Sequence, residues 1–314
     1  MKTNRIFLSA LALGVGIFAF NGCGSDDDGN DLPPIGGYNS ADEVGAADLL
    51  AYWPLNGNGK ESISNTSPSN TVNVSWVNAV KGQGAKMTAG FLDYPSIGAI
   101  SSNTSGSYTV SAWAKISNTK LVAGGPSNIS PIISFTGGLN ANVGNLALFG
   151  NTHGLTSSDS IQMKAEFHFK RTPDDGTDFG GDAVNMTKME QWMIDDNAAG
   201  ATPGHAAFAN KIGGQWAHIV YVYDGTTANN RLYVNGVKIS NPQWESRNGG
   251  AAMPMTFFTP SRPVIGALWS VAEGTNVDAW NAPLTGEVDE IRVWKKVLSQ
   301  ADINALYQLE SAGR

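Results

Sequence analysis

From Asp48 onward, hydrophobic and polar residues alternate in short runs that are broken by Gly, Asn and Pro, the pattern of an antiparallel sandwich. In "SYTVSAWAKI", Tyr108, Val110, Ala112, Ala114 and Ile116 fall on one face of a strand, and Thr109, Ser111, Trp113 and Lys115 on the other. The first set predicts a core face. The run "WAHIVYVYDG", Trp216 to Gly225, is apolar on both faces and predicts a central strand covered on both sides. In "RLYVNGVKI", Asn235-Gly236 separates two apolar runs, a strong local signal for a two-residue hairpin turn.

The chain closes on a helix pattern. In "LSQADINALYQL", Ser299 is the N-cap, Asp302 stands three residues on, and Leu298 is placed to staple against Ile303. Ile303, Leu306 and Tyr307 then share one apolar face. The pattern therefore predicts an all-β sandwich with a short C-terminal helix. Between Ile116 and Trp216 it adds the strand candidates "PIISFTGG", "NLALFG" and "IQMKAEFHFKR", an acidic "PDDGTDFGGD", and a helix-like "AVNMTKMEQWMI". Val184, Met186, Met189, Trp192 and Met193 lie near helical spacing, which suits a core face or a docking surface.

Composition narrows the function classes. The chain has 314 residues, 41% of them hydrophobic, with 37 glycines for turns. Only 15% are charged and the net charge is −7, so no basic surface is available for a nucleic acid backbone. One cysteine, Cys23, rules out an intrachain disulfide.

Lys2 and Arg5 precede an apolar run from Ile6 to Phe20 that ends at "NGC", the charged-then-apolar order of a signal peptide over residues 1–22. Gly22-Cys23 resembles the lipobox of bacterial lipoproteins, which implies lipidation of Cys23. Residues 23–47 carry "GSDDDGNDLPPIGG" directly after Cys23 and predict an acidic tether. Its aspartates either solubilise a linker or form the acidic run that resembles the surface-export signal of Bacteroidetes lipoproteins. That resemblance implies the outer membrane, with the protein facing the exterior, held by acyl chains such as palmitate on Cys23.

Five segments carry a further resemblance: "LLAYWPLNGNG", "GSYTVSAWAKI", "GQWAHIVYVYDGTTANNRLYVNGVKI", "PVIGALW" and "LTGEVDEIRVWKKVLSQADINALY". In that order they resemble laminin-G-like domains of the concanavalin A-like lectin and glucanase superfamily, and pentraxins share the last pattern. The resemblance implies a jelly-roll sandwich of two antiparallel sheets over residues 48–314. The middle of the chain is longer than the family needs, so an insertion at about 124–210 is expected to hold the functional novelty.

"EVDEIR", Glu287 to Arg292, is one residue from the E-x-D-x-x-E strand of laminarinase-type glucanases. Retaining glycosidases need two carboxyl groups about 5 Å apart, one of them a proton donor. Here the donor position is Arg292, or Ile291 in the shorter motif, and neither can serve. The segment resembles instead the last strand of those enzymes, whose aspartate helps hold a structural calcium ion. The resemblance implies Asp289 as a calcium ligand, with Asn56 of "LNGNGKES" beside it; the alternative is that Asp289 caps backbone N–H groups without metal. Asp174, Asp175, Asp178 and Asp182 offer a weaker calcium set without ordered spacing.

His153, His168, His205 and His218 show no zinc spacing, and His168 and His218 fall inside strand patterns as ordinary sheet residues. No nucleophile elbow or phosphate-binding glycine loop is present. Trp244, Trp269 and Trp280 sit in loop contexts, either as sugar-stacking side chains or as loop anchors. The expected function is a non-catalytic surface lipoprotein that binds carbohydrate in nutrient capture. The alternatives are an accessory subunit docking on an outer-membrane glycan or peptide transporter and, disfavoured, a glycoside hydrolase.

Overall fold

The structure is a computed structural model that describes residues 32–118, 128–151 and 159–314. Cys23, the apolar Ile6–Phe20 run and most of the acidic stretch lie outside the described residues. The early strands are β1 (Leu49–Trp53), β2 (Asn70–Asn78), β3 (Gln83–Asp93) and, after the one-turn α1 (Gly98–Ser101), β4 (Tyr108–Lys115). The middle of the chain gives β5 (Ser130–Phe135), β6 (Leu146–Asn151), β7 (Gln162–Lys170), β8 (Asp178–Val184) and α2 (Gln191–Ala198). Then come β9 (Trp216–Asp224), β10 (Asn229–Val234), β11 (Val237–Lys238), β12 (Pro263–Ile265), α3 (Trp269–Ala272), β13 (Leu284–Trp294) and α4 (Gln300–Ser311).

Antiparallel pairing runs β11-β10-β9-β4-β13-β3-β12-β5-β6-β7-β8, with β1 joined to β13 and β2 to β3. β3 carries the ladder from one layer into the other: Ala85–Gly90 pair with β13, whereas Leu92 and Asp93 pair with β12. The ladder thus curls into two packed layers, β9-β4-β13 in one and β5-β6-β7-β8 in the other. Their inner faces meet where Tyr223 packs against Phe167 and Phe169, each at 5.4 Å between ring centres. Ala112, Ile219, Tyr221 and Val293 complete that core from the first layer.

Both all-buried strand patterns have a physical cause. β9 is buried from Ala217 to Tyr223 because its outer residues Val220 and Val222 lie beneath α4. The outer side of β4 is covered too, with Trp113 stacked on Tyr307 of α4 at 5.8 Å. The Asn235-Gly236 hairpin forms as expected, with both residues at positive φ, 50° and 77°. Ser299 and Asp302 form a reciprocal capping box, and Leu298 shares a cluster with Ile303.

Three sequence expectations need correction. The tether does not extend to residue 47. Ile35, Tyr38, Ala41 and Val44 recur every third residue and pack against α4 and Trp294, while the Trp294 indole donates to the Val44 carbonyl at 3.1 Å. The compact unit accordingly runs from Pro34 to Arg314. The stretch at 124–210 is no excursion from a finished sandwich, because it contributes β5 to β8, the second layer itself. Finally, "AVNMTKMEQWMI" is not one helix: Val184 ends β8, and α2 begins only at Gln191.

Candidate functional site

β7 alternates strictly. Met163, Ala165, Phe167 and Phe169 enter the core, and Gln162, Lys164, Glu166 and His168 therefore project from the outer face of the second layer. Register places Phe149 of β6 on one side of Lys164 and Val184 of β8 on the other, and sets Glu166 opposite Asp182. Opposite His168 stands Gly180, where a Cβ would come within 2.8 Å of the imidazole Nδ1. The glycine leaves room for the ring.

These side chains form one ionic ladder. Lys164 Nζ lies 2.8 Å from Glu166 and 3.4 Å from Asp182. His168 bridges Glu166 at 3.2 Å and Asp178 at 2.7 Å, and Arg247 donates to Asp182 at 2.6 Å. Burial alone would raise the Glu166 carboxyl, but the His168 hydrogen bond and the Lys164 charge outweigh it and hold it below the ordinary carboxylate range. The Glu166 hydrogen bond, joined by Asp178, raises His168 above the ordinary histidine value against the opposing effect of burial.

One end of this face is aromatic. Trp192 sits in the first turn of α2, 45% exposed, and Trp244 ends a short helical turn, Pro242–Trp244, capped by Asn241. Their rings lie 6.1 Å apart at 31°. The buried His205 meets both edge-on and is held by Asp196 at 3.1 Å and Asn241 at 3.3 Å. A cavity of about 520 Å³ opens between this pair and Lys164. A second, of about 320 Å³, runs from Lys164 and Glu166 past Phe149 to Trp280, which is 40% exposed. Asn151 and Lys164 wall both cavities, so the two form one trough with tryptophans at its ends.

Of the three loop tryptophans, the structure brings Trp244 and Trp280 to the trough and leaves Trp269 out. The Trp269 indole donates to Glu273 at 3.2 Å, and Glu273 also pairs with Arg262. Lys164 and Glu166 are site residues that the sequence does not single out, and Asp182 stands there only within the weaker calcium set. The strict alternation of Gln162–Lys170 is the available signal for Lys164 and Glu166; Trp192 belongs to the helical spacing from Val184 to Met193, which suits a core face or a docking surface.

The "EVDEIR" carboxylates lie elsewhere, on the first layer. A bulge between Asp289 and Arg292, with Glu290 at positive φ, buries both Asp289 and Glu290. Arg292 is also buried, paired with Glu310, with Glu290 at 2.9 Å and with Asp42 at 2.8 Å. Glu287 pairs with Lys115 at 3.6 Å.

Asp289 accepts from the backbone N–H groups of Lys81 and Glu290, each at 3.0 Å, and burial pushes its carboxyl up to about 7. The Asn56 carbonyl accepts from Gln83 N at 3.2 Å. Both side chains thus accept from backbone N–H groups at the β2–β3 turn, and a cation there would share those oxygens with the N–H groups. Among the described residues no group of three or more His, Cys, Asp or Glu side chains suited to a metal gathers. Backbone carbonyls and water would have to complete the roughly six to eight oxygens that calcium takes. The second set is dispersed: Asp174 pairs with Lys170, Asp175 binds Thr177, and Asp178 and Asp182 belong to the ladder.

Comparison with known proteins bears on the fold. The family model Laminin_G_3, described as concanavalin A-like lectin/glucanases superfamily, matches residues 89–304. No curated protein matches the chain. Domain 4 of AbnA, a GH43 extracellular arabinanase from Geobacillus stearothermophilus, solved with arabinotriose, is 16% identical at a TM-score of 0.48, covering 83% of this chain and 98% of that one. The binding domain of Paraclostridial Mosquitocidal Protein 1 is 14% identical at a TM-score of 0.52, with coverages of 83% and 52%. The binding domain of botulinum neurotoxin serotype D/C VPI 5993 is 13% identical at 0.50, with coverages of 85% and 53%. This chain spans about half the length of those two toxin structures, and the likeness is one of fold.

Proposed function

The chain belongs to the concanavalin A-like lectin/glucanase superfamily, and from that premise we propose that it is a non-catalytic carbohydrate-binding protein whose ligand lies in the trough across β6, β7 and β8. The observation that carries this reading is the placement of aromatic rings, the exposed Trp192 with the half-buried Trp244 at one end and the exposed Trp280 at the other, over a polar floor of Asn151, Gln162, Lys164 and Glu166. Sugar rings present apolar C–H faces to aromatic rings and hydroxyls to such a floor.

Two arguments support a binding role over hydrolysis. A glycosidase acid needs a carboxyl raised toward the working pH, whereas Lys164 and His168 hold Glu166 in the ionised form. On β13, Arg292 occupies the donor position and is buried under α4. We read the protein further as a surface lipoprotein in nutrient capture, on the strength of the Gly22-Cys23 lipobox and the aspartates behind it. Residues 35–48 dock on the outer face of the first layer and the trough opens on the outer face of the second. That arrangement suits a binding site presented away from an anchoring surface.

The test is a glycan array with the purified protein. Hits that weaken on Trp244→Ala are expected. A blank array, together with an outer-membrane transporter that co-purifies from native membranes, would replace this reading with the accessory-subunit one.

A further inference from the structure

The charges of the trough define what kind of carbohydrate it accepts. Among the described residues, both lysines along it already have carboxylate partners: Lys164 has Glu166 and Asp182, and Lys188 has Glu190 at 3.1 Å. The carboxylates are matched in turn, since Asp182 also takes Arg247, and Glu166 shares His168 with Asp178. With His168 protonated, this ladder balances charge for charge. A ligand carboxylate or sulfate entering at Lys164 would displace Glu166 and Asp182 and then sit beside them in a site that is partly shielded from water, where like-charge repulsion is strong. A ligand ammonium would meet the mirror-image problem at Lys164 and Arg247. A sugar hydroxyl meets neither, because it both donates and accepts and can add to a carboxylate or an amide without breaking the ladder.

The shape defines how much of it is read. The two cavities join at Lys164 and Asn151, and each lies within the range of about 300–1,000 Å³ in which small-molecule pockets bury their ligands. The aromatic platforms are at the far ends, so a ligand confined to one cavity reaches one platform only.

We propose that the trough recognises an uncharged oligosaccharide laid along it, one end stacked on Trp192 and Trp244 and the other on Trp280, with Glu166 and Asp182 accepting hydroxyl protons in the middle. This rests on the carbohydrate-binding reading above. It adds selection for chain length and against charge.

The experiment is isothermal titration of the full protein with the disaccharide and hexasaccharide of five neutral series (cello-, xylo-, manno-, arabino- and laminari-oligosaccharides), alongside oligogalacturonide and chitosan hexamers. The best neutral hexasaccharide should bind about tenfold more tightly than its disaccharide, the increment that a second stacking platform supplies. Both charged hexamers should bind at least about tenfold more weakly than the neutral one. Trp280→Ala should abolish the advantage of the longer chain and leave disaccharide affinity unchanged, while Trp280→Phe should retain it; Trp244→Ala should weaken both lengths. Equal affinities for the two lengths, or an equal loss at both lengths in Trp280→Ala, would overturn the two-ended geometry. An oligogalacturonide or chitosan that binds as well as the neutral chain would overturn the charge argument. If only a charged series binds, this proposal fails and the carbohydrate reading stands, whereas silence from every sugar overturns that reading itself.

Discussion

Glu310 is the group whose removal should cost the fold most. It lies in the last turn of α4, fully buried, where one carboxylate oxygen accepts from Arg292 and the other from the Trp113 indole at 2.7 Å. His218 stands 3.5 Å away and contributes no charge, because burial, with help from Arg292, pushes it down to about 3. Glu310→Ala would leave a buried guanidinium short of one partner and an indole N–H without an acceptor. Breaking a buried ion pair from one side costs about 3–5 kcal/mol. In a folded unit of this size that corresponds to a fall in melting temperature of roughly 5–9 °C. The assay is urea unfolding followed by tryptophan fluorescence at neutral pH, with calorimetry for the melting temperature. A second variant separates ion pairing from packing: Arg292→Met/Glu310→Leu combined with Glu290→Gln, which leaves neither buried carboxylate facing the guanidinium charged and unpaired, should be more stable than Glu310→Ala. The reasoning fails if Glu310→Ala costs less than about 1 kcal/mol, the range of a solvent-screened pair, or if the combined variant is no more stable than the single one.

Other consequences follow from the same structure. His168 has its pKa raised above the ordinary histidine value, so its stabilising contribution is fully present below about pH 6.5 and is lost as pH rises through the folded value. The stability gap between wild type and His168→Gln should therefore be wide in mild acid and close in alkali, and a gap independent of pH would refute the ladder. Asp289 is raised to about 7 by burial, so the native state holds a proton that the unfolded chain releases at about 4. Stability should consequently fall as pH rises across that window, and Asp289→Asn should remove the slope. If Asp289 holds calcium, a chelator should lower the melting temperature of wild type more than that of Asp289→Ala; an equal response removes the site. Cys23→Ala should release the protein from the membrane fraction, and retention there would sink the lipid anchor.

Much of this architecture is written locally in the chain. Strict alternation in Tyr108–Lys115 and the doubly apolar Trp216–Asp224 fix strands because side-chain direction in an extended chain depends only on position parity. Asn235-Gly236 and the Ser299–Asp302 box fix a turn and a helix start because each closes within a few residues. The period-three apolar set from Ile35 to Val44 was equally local, but the acidic, proline-bearing segment before it masked its reach. The trough could not be read that way. Lys164, Asp182, Trp192, Trp244 and Trp280 are neighbours only because β7 pairs with β6 and β8 and because α2 and the Pro242–Trp244 turn pack beside them. A helical spacing from Val184 to Met193 looks the same whether it is one helix or the end of a strand followed by the start of a helix, so the spacing suits a core face or a docking surface alike and does not place Trp192 beside Trp244. "EVDEIR" marks the same boundary. Its residue types are local facts, but the strand bulge and the burial of Arg292 beneath α4 were decided by the tertiary fold, and it is burial that makes this motif an anchor.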